Sequence, residues 1–156
     1  MRNDLNRKGL LIRQPFASKI VQGDFPVLFR KRKTANRGEI IILSTKTPDK
    51  KLYPKGNINT AKYPLGVAVG TVELVDVLKT TQSEIKRLKK FKTREGKEIM
   101  LKEKFLNAYP WHTSHKEKKS PIFIWLLKNP QEWTNPPTYE ITGQPHVWTT
   151  NFLLKK

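Results

Sequence analysis

The chain has 156 residues, 37% of them hydrophobic, with 31 Lys and Arg against 13 Asp and Glu and a formal net charge of +18 at pH 7. Its length suits one domain with a real core, to which seven Phe, four Trp and four Tyr bring bulk. The lack of cysteine excludes a disulfide framework, thiolate chemistry and a Cys-based zinc site.

Charge is the strongest signal. Self-repulsion at +18 opposes compaction, so an anionic partner is expected: a nucleic acid, an anionic membrane surface or an acidic protein. Nucleic acid leads, because its phosphates reward each Lys or Arg with counterion release. No apolar run resembles a signal peptide or a membrane span, so a cytoplasmic chain with no membrane partner is expected.

In chain order, residues 9–13 (GLLIR) read as a short buried strand that ends at Gln14-Pro15. Pro15 suits a first helical turn, Phe16, Ile20 and Val21 share one helical face, and Gly23 suits the C-terminal cap, so a helix over 15–22 is expected. Val27–Arg30 is strand-like, Lys31-Arg32-Lys33 is too charged to be buried, and Asn36-Arg37-Gly38 signals a turn. Glu39–Ser44 (EIIILS) reads as a central strand. Residues 45–63 are basic and turn-rich, a long loop of the kind that is usually functional or mobile.

Residues 66–79 (GVAVGTVELVDVLK) alternate with apolar residues on both faces, as in a covered sheet or barrel, and Gly70 suggests a bulge or a close backbone approach. Thr81-Gln82-Ser83-Glu84 fits a capping box for a helix that buries Ile85 and Leu88 and exposes its lysines. A basic turn over 93–97, a short helix within 100–109 and a polar loop over 111–120 follow. Ile122–Leu127 (IFIWLL) is the second strong strand, ended by Asn129-Pro130; residues 132–139 are extended, and a last strand lies near Phe152. Too few helices are available for parallel crossovers throughout, so an α+β fold is expected, a small mixed β-barrel with two or three short helices.

Several segments together resemble one family. Leu10-Leu11-Ile12-Arg13-Gln14-Pro15-Phe16-Ala17, followed by Ile20-Val21 and Gly23, is similar to the opening of ASCH domains. Arg37-Gly38-Glu39-Ile40-Ile41-Ile42 and the run from Gly66 to Asp76 resemble two of the family's strands. Ile124-Trp125, Asn129-Pro130, Pro136-Pro137 and Gly143-Gln144 through Trp148 resemble its closing segment, so the ordered match runs from about Leu10 to Trp148.

The resemblance implies a single PUA-like domain over residues 1–156 that binds RNA, or in its place DNA, in a cleft beside the first helix. The family also holds a ribonuclease and small amidohydrolases that act on acetylated cytidine, which are the enzymatic alternatives. At the positions where the resemblance calls for the amidohydrolase lysine and its Glu or Thr, this chain has Phe25 and Leu28, so that chemistry is not expected and no catalytic residue is assigned.

The expected nucleic-acid-binding residues are Gln14, Arg30, Lys31, Arg32, Lys33, Arg37, Ser44, Lys46 and Glu73, with guanidinium forks on phosphate oxygens and Glu73 on a base edge or a clamp arginine. Phe25, Trp111 and Trp133, set among polar or turn-forming neighbours, are the expected base-stacking rings, whereas Trp125 reads as core. His112 and His115 lack the ligands that a metal site needs, so neither a metal nor a cofactor is expected. A ribonuclease would need a base and an acid brought together from His112, His115 and His146.

Overall fold

The computed structural model describes residues 8–111, 114–142, 148–149 and 152–155. The elements in chain order are β1 (Gly9–Ile12), α1 (Phe16–Val21), β2 (Val27–Arg30), β3 (Gly38–Ser44), β4 (Ala68–Thr81), α2 (Gln82–Leu88), β5 (Lys90–Lys92) and β6 (Glu98–Met100). They continue with α3 (Glu103–Ala108), α4 (His115–Lys119), β7 (Pro121–Glu132), β8 (Thr138–Ile141), β9 (Trp148–Thr149) and β10 (Phe152–Lys155). The chain divides into two compact units, the first drawn from 1–26, 37–74 and 127–156, the second from 27–36 and 75–126. The long strands β4 and β7 each contribute one part to each unit.

The first unit is organised by a mixed sheet. β3 is parallel to β1 and antiparallel to β4, and β1 pairs antiparallel with β9. Ile40, Ile41, Ile42 and Leu43 are each no more than 1% exposed, so β3 is covered on both faces and its sequence shows no alternation. Burying each such side chain contributes about 1.5–3 kcal/mol. Six residues are too few for a helix to stand alone. α1 is held instead by burying Phe16, Ala17, Ile20 and Val21 and by packing on β3. Gly23, at φ +86°, closes it from the left-handed region that glycine enters without strain, and its N–H donates to the Ile20 carbonyl (3.1 Å).

Gly70 marks a close approach, as its place in mid-strand suggested. A Cβ there would overlap the carbonyl oxygen of Gln131, and next to it the Trp133 N–H donates to the Val69 carbonyl at 2.9 Å. A two-stranded antiparallel sheet, β8 with β10, adds Phe152 to a cluster with Ile41, Leu43 and Ala68. Among the described residues the strand pairings give a mixed α+β architecture and do not close into a barrel.

In the second unit β2 runs antiparallel to β7, from Val27 opposite Leu126 to Arg30 opposite Phe123. The Thr81 hydroxyl caps α2 by accepting from the Glu84 N–H (3.1 Å), as the capping-box pattern predicts. β5 and β6 form a hairpin across the basic turn, anchored where Arg94 Nε donates to both carboxylate oxygens of Asp76 (2.9 and 3.0 Å) and Nη2 to the Val77 carbonyl (3.1 Å). α3 buries Phe105 and Leu106.

Four expectations are corrected. Among the described residues there are four helices rather than two or three, because α4 forms in the stretch read as loop; Ser114 accepts from the Glu117 N–H (3.4 Å), a capping pattern hidden among charges. β7 does not end at Asn129-Pro130 but runs on to Glu132, since Asn129 takes φ +51°, which asparagine tolerates better than most residues. Leu88 is 38% exposed, because α2 ends there at a left-handed Lys89 (φ 57°). The expected barrel is an expectation of closure that the described pairings do not contain. Among the described residues no helix is long and apolar enough to cross a membrane.

Candidate nucleic-acid interface

In the first unit, Gln14 and Ser44 meet. Gln14 follows β1 and Ser44 ends β3, and the parallel register sets Ile12 opposite Ser44. Gln14 Nε2 donates to the Ser18 hydroxyl (2.8 Å) and the Pro64 carbonyl (2.9 Å), while Oε1 accepts from the Ser18 N–H (2.9 Å). The Ser44 hydroxyl donates to the same Pro64 carbonyl (2.8 Å), lies 3.1 Å from the Val67 carbonyl, and accepts from the Val67 N–H (3.1 Å). Both residues are 0% exposed. Expected as nucleic-acid ligands, they are instead the interior knot that ties the long loop 45–63 back to α1 and β3, and their polar atoms are already engaged. The Asp49 N–H, donating to the Gln14 carbonyl (2.9 Å), fastens the same loop a second time.

The other expected residues of this unit lie at the surface. Lys46 is exposed in the loop, its Cγ 3.5 Å from where a Gly66 Cβ would stand. Arg37 is exposed and enters β3 at the end where Gly38 pairs with Leu74, next to Glu73. Glu73 is half-buried opposite Glu39 and accepts from Asn129 Nδ2 (3.0 Å).

In the second unit the four expected cations are consecutive, and they differ in kind. Arg30, the last residue of β2, is half-buried, with its guanidinium carbon 5.3 Å from the centre of the Trp125 ring. Among the described residues no carboxylate or carbonyl is bonded to that guanidinium. Burial pulls its pKa down, against a smaller opposing pull from Tyr109. Lys31, Arg32 and Lys33 are exposed; Lys31 pairs with Glu117 at 3.1 Å, and the Arg32 carbonyl accepts from the Trp125 indole N–H (3.1 Å).

The three stacking candidates separate. Phe25 is 2% exposed and stacks on Phe16 with centroids 5.8 Å apart, so it is core and presents no face to a base. Trp133 is half-buried against the Ile41–Phe152 cluster. Trp111 is half-buried among Phe29 and Tyr109 (5.0 and 4.8 Å), its indole N–H donates to the Leu106 carbonyl (2.6 Å), and Lys86 Nζ lies 5.9 Å from its ring. Phe25 and Leu28, at the positions the resemblance assigns to hydrolase groups, are both buried and apolar. His112 and His146 lie outside the described residues, and among the described residues no group of His, Asp and Glu is arranged to hold a metal ion.

Tyr109 is the residue that sequence reasoning missed. Its hydroxyl donates to the Phe29 carbonyl (2.9 Å) and accepts from the Phe29 N–H (2.7 Å), which fixes the strand residue before Arg30. Burial pushes its pKa up to about 12, against the pull of the Phe29 hydrogen bond and the Arg30 charge. The available signal was Pro110, which ends a short helix and turns the tyrosine away from it.

No family model matches the chain, and a search of curated proteins finds no match. Solved structures do. A Tyr-to-Phe variant of the ASCH protein of Zymomonas mobilis is 19% identical with a TM-score of 0.50, the match covering 85% of this chain and 76% of that one. A Ser-to-Ala variant of the same protein gives 19% and 0.50, over 88% and 77%. The fold of this chain is therefore similar to that of the ASCH protein of Zymomonas mobilis, in agreement with the resemblance its motifs carry.

Proposed function

We propose that this chain is a nucleic-acid-binding module, for RNA ahead of DNA, built as a single ASCH-like domain on a PUA-like scaffold. The observation that carries the reading is Arg30. A guanidinium withdrawn from water is costly unless an anion meets it, and among the described residues none does. Three cations follow it directly, and the chain as a whole has 18 more cations than acids, so internal pairing leaves most of its charge without a counterpart. A phosphate oxygen pair fits a guanidinium fork. Arg30 then anchors one phosphate while Lys31, Arg32 and Lys33 follow its neighbours, and Arg37, Lys46 and the other loop lysines add sequence-independent attraction. Specificity falls to ring faces and base-edge acceptors, the candidates being Trp111 in the second unit and, separately, Glu73 in the first.

The test is a salt titration of binding to single-stranded RNA, hairpin RNA and duplex DNA, comparing the wild type with Arg30→Ala and Arg37→Ala and running each sample on a gel. Salt-sensitive binding that Arg30→Ala weakens, with the RNA intact, supports the module. Cleaved RNA turns the reading to a ribonuclease. Binding no tighter than that of an unrelated protein of equal charge removes it.

A further inference from the structure

The second unit holds a cavity of about 390 Å³ between β4, α2 and the β5–β6 hairpin. That volume lies in the range of small-molecule sites, roughly 300–1,000 Å³. Its floor is apolar, made by Leu78, Ile85, Phe91 and Ile124, and the last three are 8% exposed or less. Its rim is charged and uneven. The two acids are partly engaged: Glu98 pairs with Lys90 (3.0 Å), and Glu84 Oε2 accepts from the Thr80 hydroxyl (3.0 Å). The exposed rim lysines Lys79 and Lys92 have no carboxylate bonded to them among the described residues. None of these residues belongs to the interface described above.

The cavity therefore offers an apolar floor with an aromatic ring, two cations at its mouth, and one carboxylate oxygen, Glu84 Oε1, to which no donor is bonded among the described residues. A nucleotide has the matching parts: a flat base, an anionic phosphate and, in three of the four common bases, an exocyclic amino group.

We propose that this cavity is a nucleotide site, in which the base lies against Phe91, its amino group donates to Glu84 and its phosphate is held by Lys79 and Lys92. The inference extends the nucleic-acid reading to a second site, and the ligand is either a free nucleotide or one unit of a bound RNA. Carboxylate acceptors match the cytosine amino group well, so a cytidine nucleotide is the first probe.

The experiment follows the backbone amide resonances of the intact chain while 5′-CMP, 5′-UMP, cytidine or inorganic phosphate is added. The expected result is saturable shifts at Thr80, Glu84, Phe91 and Lys92, with CMP binding more tightly than UMP, cytidine or phosphate. Lys79→Ala with Lys92→Ala, both at exposed positions, should weaken CMP binding on the order of tenfold, because the phosphate loses its charge-assisted donors. No saturable shift at these residues with millimolar CMP overturns the inference, as does unchanged binding by the double variant. An RNA oligomer that displaces CMP identifies the ligand as a unit of RNA, and one that binds without displacing it identifies a free nucleotide. CMP binding without any RNA binding keeps the cavity and removes the proposed function; the reverse removes the cavity alone.

Discussion

Gln14 and Arg30 sit in comparable places, one just past and one at the end of a short strand, and they have opposite fates. Gln14 is sealed from water with its donors and acceptor taken by Ser18 and Pro64. Arg30 is half-buried on Trp125, and among the described residues its donors are left open. Both were expected to touch nucleic acid. The difference is that a neutral amide is satisfied by backbone nearby, whereas a guanidinium drawn from water needs a negative charge. The same contrast runs through the two units. Residues 27–36 and 75–126 carry 17 Lys and Arg against 6 acids, whereas the longer remainder carries 14 against 7. The smaller unit therefore has the larger excess.

The contrast is broken first by Phe25→Ala. Emptying that interior position beside Phe16 should cost about 3–5 kcal/mol in urea unfolding, while RNA affinity per folded molecule stays unchanged. A variant that keeps its stability and loses affinity would return Phe25 to the binding surface. Gln14→Ala comes next. It strands the Ser18 N–H and weakens the hold on the Pro64 carbonyl, for about 2–3 kcal/mol of stability by the same measurement.

Arg30→Met sharpens the other side. An apolar side chain of similar reach keeps the packing on Trp125 and removes a desolvated cation, so thermal stability should hold or rise. RNA affinity, measured at one fixed salt concentration, should fall by about tenfold. Loss of stability with intact affinity would make Arg30 a structural residue like Gln14.

The smallest effect is a pH dependence at Tyr109. Its folded pKa is raised to about 12, so the folded state holds the phenolic proton more tightly than the unfolded chain does. The stability this brings is complete below the ordinary tyrosine value near 10 and is lost as pH climbs from there through 12. Unfolding midpoints followed across that alkaline window should fall less steeply in Tyr109→Phe than in the wild type.

Much of this architecture is legible in the residues. EIIILS announces a strand covered on both sides, Gly23 a helix end, Gly70 a close approach, and Thr81 with Glu84 a helix start. What stayed hidden depends on partners distant in sequence. Phe25 reads as a surface ring because its neighbours are Asp24 and Pro26, whereas in the fold it is buried and stacked on Phe16. Gln14 reads as a ligand because nothing nearby shows that the Pro64 carbonyl, fifty residues on, takes its donor. α4 was lost in a run of charges whose single helix signal, Ser114, gives no apolar period to reinforce it. The positions of Lys31, Arg32 and Lys33 at the surface followed directly from their charge.

The pairing of Gly9 with Thr149 bears on how the chain is made. A ribosome releases β9, the antiparallel neighbour of β1, long after β1 itself. Between those moments one edge of β1 has no strand to accept its hydrogen bonds, while its other edge is taken once β3 emerges. Open edges of this kind invite pairing between nascent chains. The second unit has finished emerging by residue 126, so most of its excess positive charge is already in place during that interval and keeps neighbouring nascent chains apart.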